Sequence, residues 1–242
     1  MSLSRYLTLY EYNWLPAMYS HVSQLGVWGQ HLIGSVGAQS IRREPDDRLM
    51  HRMSQEMMRG QDSFEPLDRV PDSVWPFAPN SWIQQVAFEM GLAALAGKAR
   101  SSIDRKSVLE LMSVVGSGAR KRSLSYLERF PVLGACVPAN FPIHSRDHVV
   151  GLGGQVLCEA IDRQTVFGDT QQHPSKSDAI IDGVKHRLAL RFPRHDSEVE
   201  FSESAGIEIR TLLAEICNGK LRESANDHVA CELSLTATGE RQ

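Results

Sequence analysis

His144 and His148 lie four residues apart at the head of an apolar run, a spacing that can turn two imidazoles toward one metal ion on a helix. An HExxH zinc site keeps its glutamate beside the first histidine, whereas this segment reads His144, Ser145, Arg146, Asp147, His148 with no third ligand behind it. Ser145, Asp147 and His148 are the residue types of a nucleophile, its orienter and its base. As near neighbours on one helix they point in different directions and cannot align by themselves. Gly151, Gly153 and Gly154 invite a phosphate-loop reading, but they lack the G-x-G-x-x-G spacing and a buried strand before them, and they fall inside an apolar helical pattern. Helix contact is the simpler use for them. His228 and Cys231 make half a metal site at most. The residues therefore assign no catalytic, cofactor or metal position, and the expectation is a chain that is not an enzyme. A helical metal-dependent enzyme built on His144 and His148 stays as an alternative.

The elements that would carry such residues read as helices throughout. Residues 80 to 97 form the central one: Asn80 or Ser81 can cap it, and Trp82, Ile83, Val86, Met90 and Leu95 recur at three-to-four-residue steps. Ala87, Gly91, Ala94 and Gly97 remove bulk along it, so a second helix can approach closely. Upstream, Pro16 suits the first turn of a helix running to about Ile33, led in by Tyr6, Tyr10, Tyr12 and Trp14. A short helix follows over Pro45 to Arg59, with Met50, Met53 and Met57 on one face. Residues 60 to 79 hold four prolines and read as an extended connector.

Downstream, Ser102 or Asp104 can cap a helix carrying Val108, Leu109, Met112 and Val115 and ended by Gly116; Ser117 can cap the next, which stops at Pro131. Residues 131 to 144 read as a second break. Ser145 caps a helix through Ile161, a polar loop spans Gly168 to Ser177, and further helices run from about Asp178 to Leu190 and from Ala205 to Asn218. The fold class expected is mainly α, a single irregular multi-helix globular domain with proline-rich connectors. Residues 1–221 form a helical adaptor domain, divided into 1–79 (N-terminal helices and connector) and 80–221 (central and C-terminal helices). Residues 222–242 read as a polar tail.

The 242-residue chain has a formal charge of -3 that is unevenly spread. Residues 1–97 carry seven Lys and Arg against ten Asp and Glu, residues 98–146 nine against three, and residues 147–242 ten against sixteen. This asymmetry can guide partner docking or intramolecular contact, and it falls short of the basicity of a nucleic-acid binder. Arg100, Arg105, Lys106, Arg120, Lys121 and Arg122 are the candidate partner-binding residues, set against the plainer reading of a solvated face. Cys136, Cys158, Cys217 and Cys231 form no C-x-x-C pair and read as free thiols. No cationic and apolar leader precedes them, and no stretch is long and apolar enough to span a bilayer, so a cytoplasmic location is expected.

Three stretches together resemble the SctK (YscK/PscK) family of type III secretion sorting-platform proteins. They are Pro16 to His21 with Gln24 and Leu25; Gly91 and Leu92 running to Gly97, with Lys98 and Arg100 behind; and Arg187, Leu188, Leu190, Arg191, Phe192 and Pro193. Their order and separation span most of the chain. The resemblance implies a mostly helical, non-enzymatic adaptor without cofactors in the injectisome's cytosolic sorting platform, peripheral to the inner membrane. Its implied partners are the cytosolic domain of the inner-membrane ring protein SctD and the pod protein SctQ, with SctL and the ATPase SctN reached indirectly; nucleic acid and direct membrane insertion are not implied. A secretion chaperone or another helical protein-binding module is the competing class.

Overall fold

The computed structural model describes residues 12–24, 47–58, 75–78, 80–102, 105–138, 141–162, 165–166, 177–193 and 199–218, and every regular element among them is helical. Besides helical residues 12–14 and 165–166, these are, in chain order, α1 (Pro16–Tyr19), α2 (Asp47–Met58), α3 (Asn80–Ala94), α4 (Ala96–Ser101), α5 (Arg105–Val115), α6 (Ser117–Arg129), α7 (Pro131–Ala135), α8 (Arg146–Glu159), α9 (Ser177–Ala189) and α10 (residues 203–218). Short 3-10 turns lie at Val22–Gln24 and Trp75–Phe77. The expected helix beyond residue 24, most of the 60–79 connector, the polar loop before α9, Asp104, His228, Cys231 and the 222–242 tail lie outside the described residues. None of the described helices is long and apolar enough to cross a membrane.

The core is built on α3 crossed by α8, the most extensive helix pair among the described residues. Ile83, Val86 and Met90 on α3 and Leu152, Val156 and Leu157 on α8 are fully buried together. Glycines let the two backbones touch. A Cβ at Gly91 would overlap the Val149 carbonyl oxygen, and one at Gly153 would overlap the Ala87 carbonyl oxygen. The small residues of the central helix thus serve the close approach expected of them, and the glycines of α8 are the matching half of the contact. Gly154 faces the next layer, where a Cβ would run into the Phe192 ring.

Around this pair, α6 packs on α3 and α4, and α5 leans on α6. Ser123, buried on α6, donates its hydroxyl to the Leu92 carbonyl at 2.6 Å, which fixes α6 to the centre of the molecule. The inward residues of α10, Ile209, Leu212 and Leu213, complete the core.

Several local expectations change. The 80–97 helix turns at Leu95 into α3 and α4, although Leu95 N to Gly91 O (3.0 Å) and Ala99 N to Leu95 O (2.9 Å) carry the hydrogen bonding across. The turn seats Gly97 on the Gly134 carbonyl, where any Cβ would overlap it. Gly116, at φ 85°, separates α5 from α6 and is itself the N-cap position, so Ser117 begins α6 instead of capping it. Pro131 does not only stop α6: it starts α7, whose Val132 and Leu133 amides donate to the Glu208 carboxylate of α10 at 3.4 and 2.8 Å. That cap comes from far along the chain, which is why residues 131 to 144 read as a plain break. Near the N-terminus, α1 ends at Tyr19, and of the aromatic lead-in Tyr12 is buried while Trp14 is exposed.

Candidate docking surface

Ser145 caps α8 as its sequence suggests, accepting from the His148 amide at 3.3 Å, and Asp147 places its charge at the positive end of the helix. The two histidines are used locally. His148 Nδ1 accepts from the His144 amide at 3.2 Å, and the rings meet edge to face with centroids 5.4 Å apart. Among the described residues, no three His, Cys, Asp or Glu side chains gather in a way that could hold a metal ion. A polar cleft of about 340 Å³ beside α8 is lined by His21, Ser81, Gln84, Gln85, Arg146 and Asp147, among others. It gathers a serine, a histidine and an aspartate, but among the described residues no hydrogen bond joins the three. His21 Nδ1 is already engaged by Ser23, whose hydroxyl lies at 2.9 Å and whose amide donates at 3.3 Å.

The basic run divides into residues that hold the fold and residues that face outward. Lys98 is half-buried and donates to the Phe141 carbonyl at 2.6 Å, and burial lowers its pKa. Arg120 is half-buried and reaches the Ala99 carbonyl at 3.4 Å. Arg122 forks onto Glu89 of α3, with Nη2 at 3.1 Å and Nε at 3.3 Å, and Tyr126 donates to the same carboxylate at 3.0 Å. Arg100, Arg105, Lys106 and Lys121 are exposed, and among the described residues their side chains form no ion pair or hydrogen bond. The six candidates therefore split: Arg120 and Arg122 link α6 to α4 and α3, while the other four are available to a partner. Arg105 and Lys106 sit in the first turn of α5, where there is no acidic residue. Cations there oppose the helix dipole at a cost of about 0.3–1 kcal/mol each.

A second cluster, to which local sequence patterns assign no physical role, ties the N-terminal segment to the end of α9. Tyr12 and Tyr19 stack with centroids 5.6 Å apart, and the Tyr19 hydroxyl donates to the Tyr12 carbonyl at 2.8 Å. The Arg187 guanidinium lies over the Tyr12 ring at 5.6 Å, and that of Arg191 over the Tyr19 ring at 5.2 Å. Arg191 also donates from Nη1 to the Pro76 and Ala78 carbonyls, both at 3.0 Å. Backbone and amide bonds complete the clasp: His21 N to Leu190 O at 2.7 Å, Gln24 Nε2 to Phe192 O at 2.9 Å, and Asn80 Nδ2 to Tyr19 O at 3.1 Å. Both arginines are buried, and they stand one turn apart. That i, i+4 spacing beside Leu188 is the signal by which the sequence could have shown them. No family model, curated protein or solved structure matches this chain.

The clasp has a consequence for pH. Burial pushes the Tyr12 phenol from 10.0 up to about 12 and the Cys158 thiol from 9.0 up to about 12, and it raises Tyr19 and Tyr126 as well. Their folded forms hold the proton more tightly, so this stability is whole below pH 9.0 and is lost as pH rises toward about 12. Burial lowers His21 and His186 below 6.5, so their contribution is present above that pH and is lost as pH falls beneath it. Thermal midpoints measured across pH should form a plateau between 6.5 and 9.0 and fall on both sides. A midpoint that keeps rising above pH 10.0 would contradict these burials.

Proposed function

We propose that this chain is a non-enzymatic adaptor of the type III secretion cytosolic sorting platform, linking the cytosolic domain of SctD to the SctQ pod. It works in the cytoplasm, peripheral to the inner membrane. The observation that supports this most is the packing together of the three stretches that carry the SctK resemblance. Tyr19 of the first lies under Arg191 of the third, His21 and Gln24 bond to the backbone of Leu190 and Phe192, and Phe192 packs on Gly154 of α8. The second stretch meets the other side of α8 through Gly91. Residues separated by up to 168 positions thus form one continuous structural unit.

An adaptor needs a rigid body with surfaces left over. The clasp and the glycine-mediated α3–α8 contact supply the first, and the outward cations of α4, α5 and α6 supply a candidate for the second. Purified chain should co-elute with SctD cytosolic domain and, separately, with SctQ at low ionic strength. At least one complex should weaken as salt rises, because exposed charge pairs are screened over roughly 8–10 Å at physiological ionic strength. No complex with either protein at low or moderate salt would overturn the reading.

A further inference from the structure

We propose that the outer face of α5 docks an acidic amphipathic helix of a partner protein, with Leu109 as its apolar anchor and Arg105 and Lys106 as its charged rim. This rests on the adaptor reading and deepens it by stating where one partner binds and what chemistry it presents.

The sequence counts Leu109 with Val108, Met112 and Val115 among the apolar residues of this helix. The structure turns Leu111 and Val115 inward and leaves Leu109 53% exposed. Arg105 is four residues before it and Lys106 three, so the two cations and the leucine share one patch of helix surface. Together with Glu110 and Ser113 they line a shallow depression of about 710 Å³. A single exposed leucine is ordinary. A leucine flanked by two cations that have no acidic partner among the described residues is the complement of a partner helix whose glutamates flank an apolar side chain.

Glu110 lies in the same depression, four residues after Lys106, and leaves the face with two cations to one carboxylate. Local stability does not account for Arg105 and Lys106, since first-turn cations oppose the dipole of α5. One leucine provides too little apolar area to hold a lipid surface, and two cations beside a carboxylate are too few to track a phosphate backbone. An acidic protein helix fits both the apolar and the charged parts.

The test uses the full chain and a labelled synthetic helical peptide with glutamates flanking a leucine stripe, compared with the same peptide carrying lysines in their place. The acidic peptide should bind about tenfold tighter or more, and R105E/K106E should remove about a tenfold share of that affinity. Leu109→Ser should weaken binding with no change in helical circular dichroism or melting temperature, while Ile207→Ser, also at an exposed apolar position, should leave binding unchanged. Equal binding of the two peptides, or insensitivity to all the α5 substitutions, overturns the proposal. So does tighter binding to phosphatidylserine vesicles or duplex DNA than to the acidic peptide. The same variants are then measured against SctD cytosolic domain and SctQ, where one partner should be lost. Partner binding that no α5 substitution changes overturns the surface, whatever the peptides do. Peptide binding that follows the pattern above, in a chain that binds neither SctD nor SctQ, overturns the adaptor function and leaves the surface standing.

Discussion

Gly153→Ala should destabilise the protein by about 3 kcal/mol, lowering its melting temperature by roughly 6–12 °C. The added methyl has nowhere to go. Its position overlaps the Ala87 carbonyl oxygen, with the Gly91 amide nitrogen 2.8 Å away, and all these are backbone atoms of a helix at the centre of the core. Relief requires α3 and α8 to separate, which opens the contact between Val86, Met90, Leu152 and Val156. Gly206→Ala on α10 is the matched control, because its nearest neighbour is the tip of the Arg210 side chain at 3.7 Å. There the substitution should be neutral or stabilising by up to about 1 kcal/mol through helix propensity alone. Equal effects at the two glycines, read by thermal denaturation, would mean that α3 and α8 are not in backbone contact.

Arg191→Leu should cost about 3 kcal/mol and release the N-terminal segment from the body. A leucine restores apolar burial but leaves the Pro76 and Ala78 carbonyls without the guanidinium that serves both. It also removes the cation from the face of Tyr19, so three segments distant in sequence lose their common partner. Arg191→Lys should recover only part of the loss: an ammonium can donate to both carbonyls, but it lacks the planar guanidinium that covers the Tyr19 ring while one of its nitrogens serves them. Amide hydrogen exchange provides a specific readout: protection at His21, whose amide is bonded to Leu190, should fall well before protection in α3. Uniform loss across the chain would instead make Arg191 a general core residue.

What could be read from the sequence follows the range of the interactions involved. The helices of α3, α8 and α9 are written in apolar periodicity and, for α8, in a local cap, so their positions are evident within a few residues. The small-residue stripe of α3 announces a close neighbour, but which backbone it meets depends on glycines some sixty residues away in α8. The α7 helix escapes notice because its cap, Glu208, belongs to α10. The apolar residues of α5 lie on more than one side, and packing decides that Leu111 and Val115 are buried while Leu109 is exposed. Composition groups Arg120, Lys121 and Arg122 as one basic patch. Helical geometry sends them to the Ala99 carbonyl, to solvent and to Glu89 in turn.

The clasp shows the same limit from the functional side. Arg187 and Arg191 are visible in the sequence as a pair one turn apart, and they belong to a stretch that carries the family resemblance. Their acceptors are carbonyls at Pro76 and Ala78 and the rings at Tyr12 and Tyr19, none of which a local pattern can supply.

Retention of SctQ on immobilised SctD cytosolic domain, measured with and without this chain, tests the proposed adaptor role most directly. Bridging requires SctQ to be held only when the chain is present, with chain and SctQ recovered together. SctQ held equally without the chain, or not held with it at both low and moderate ionic strength, would contradict the role.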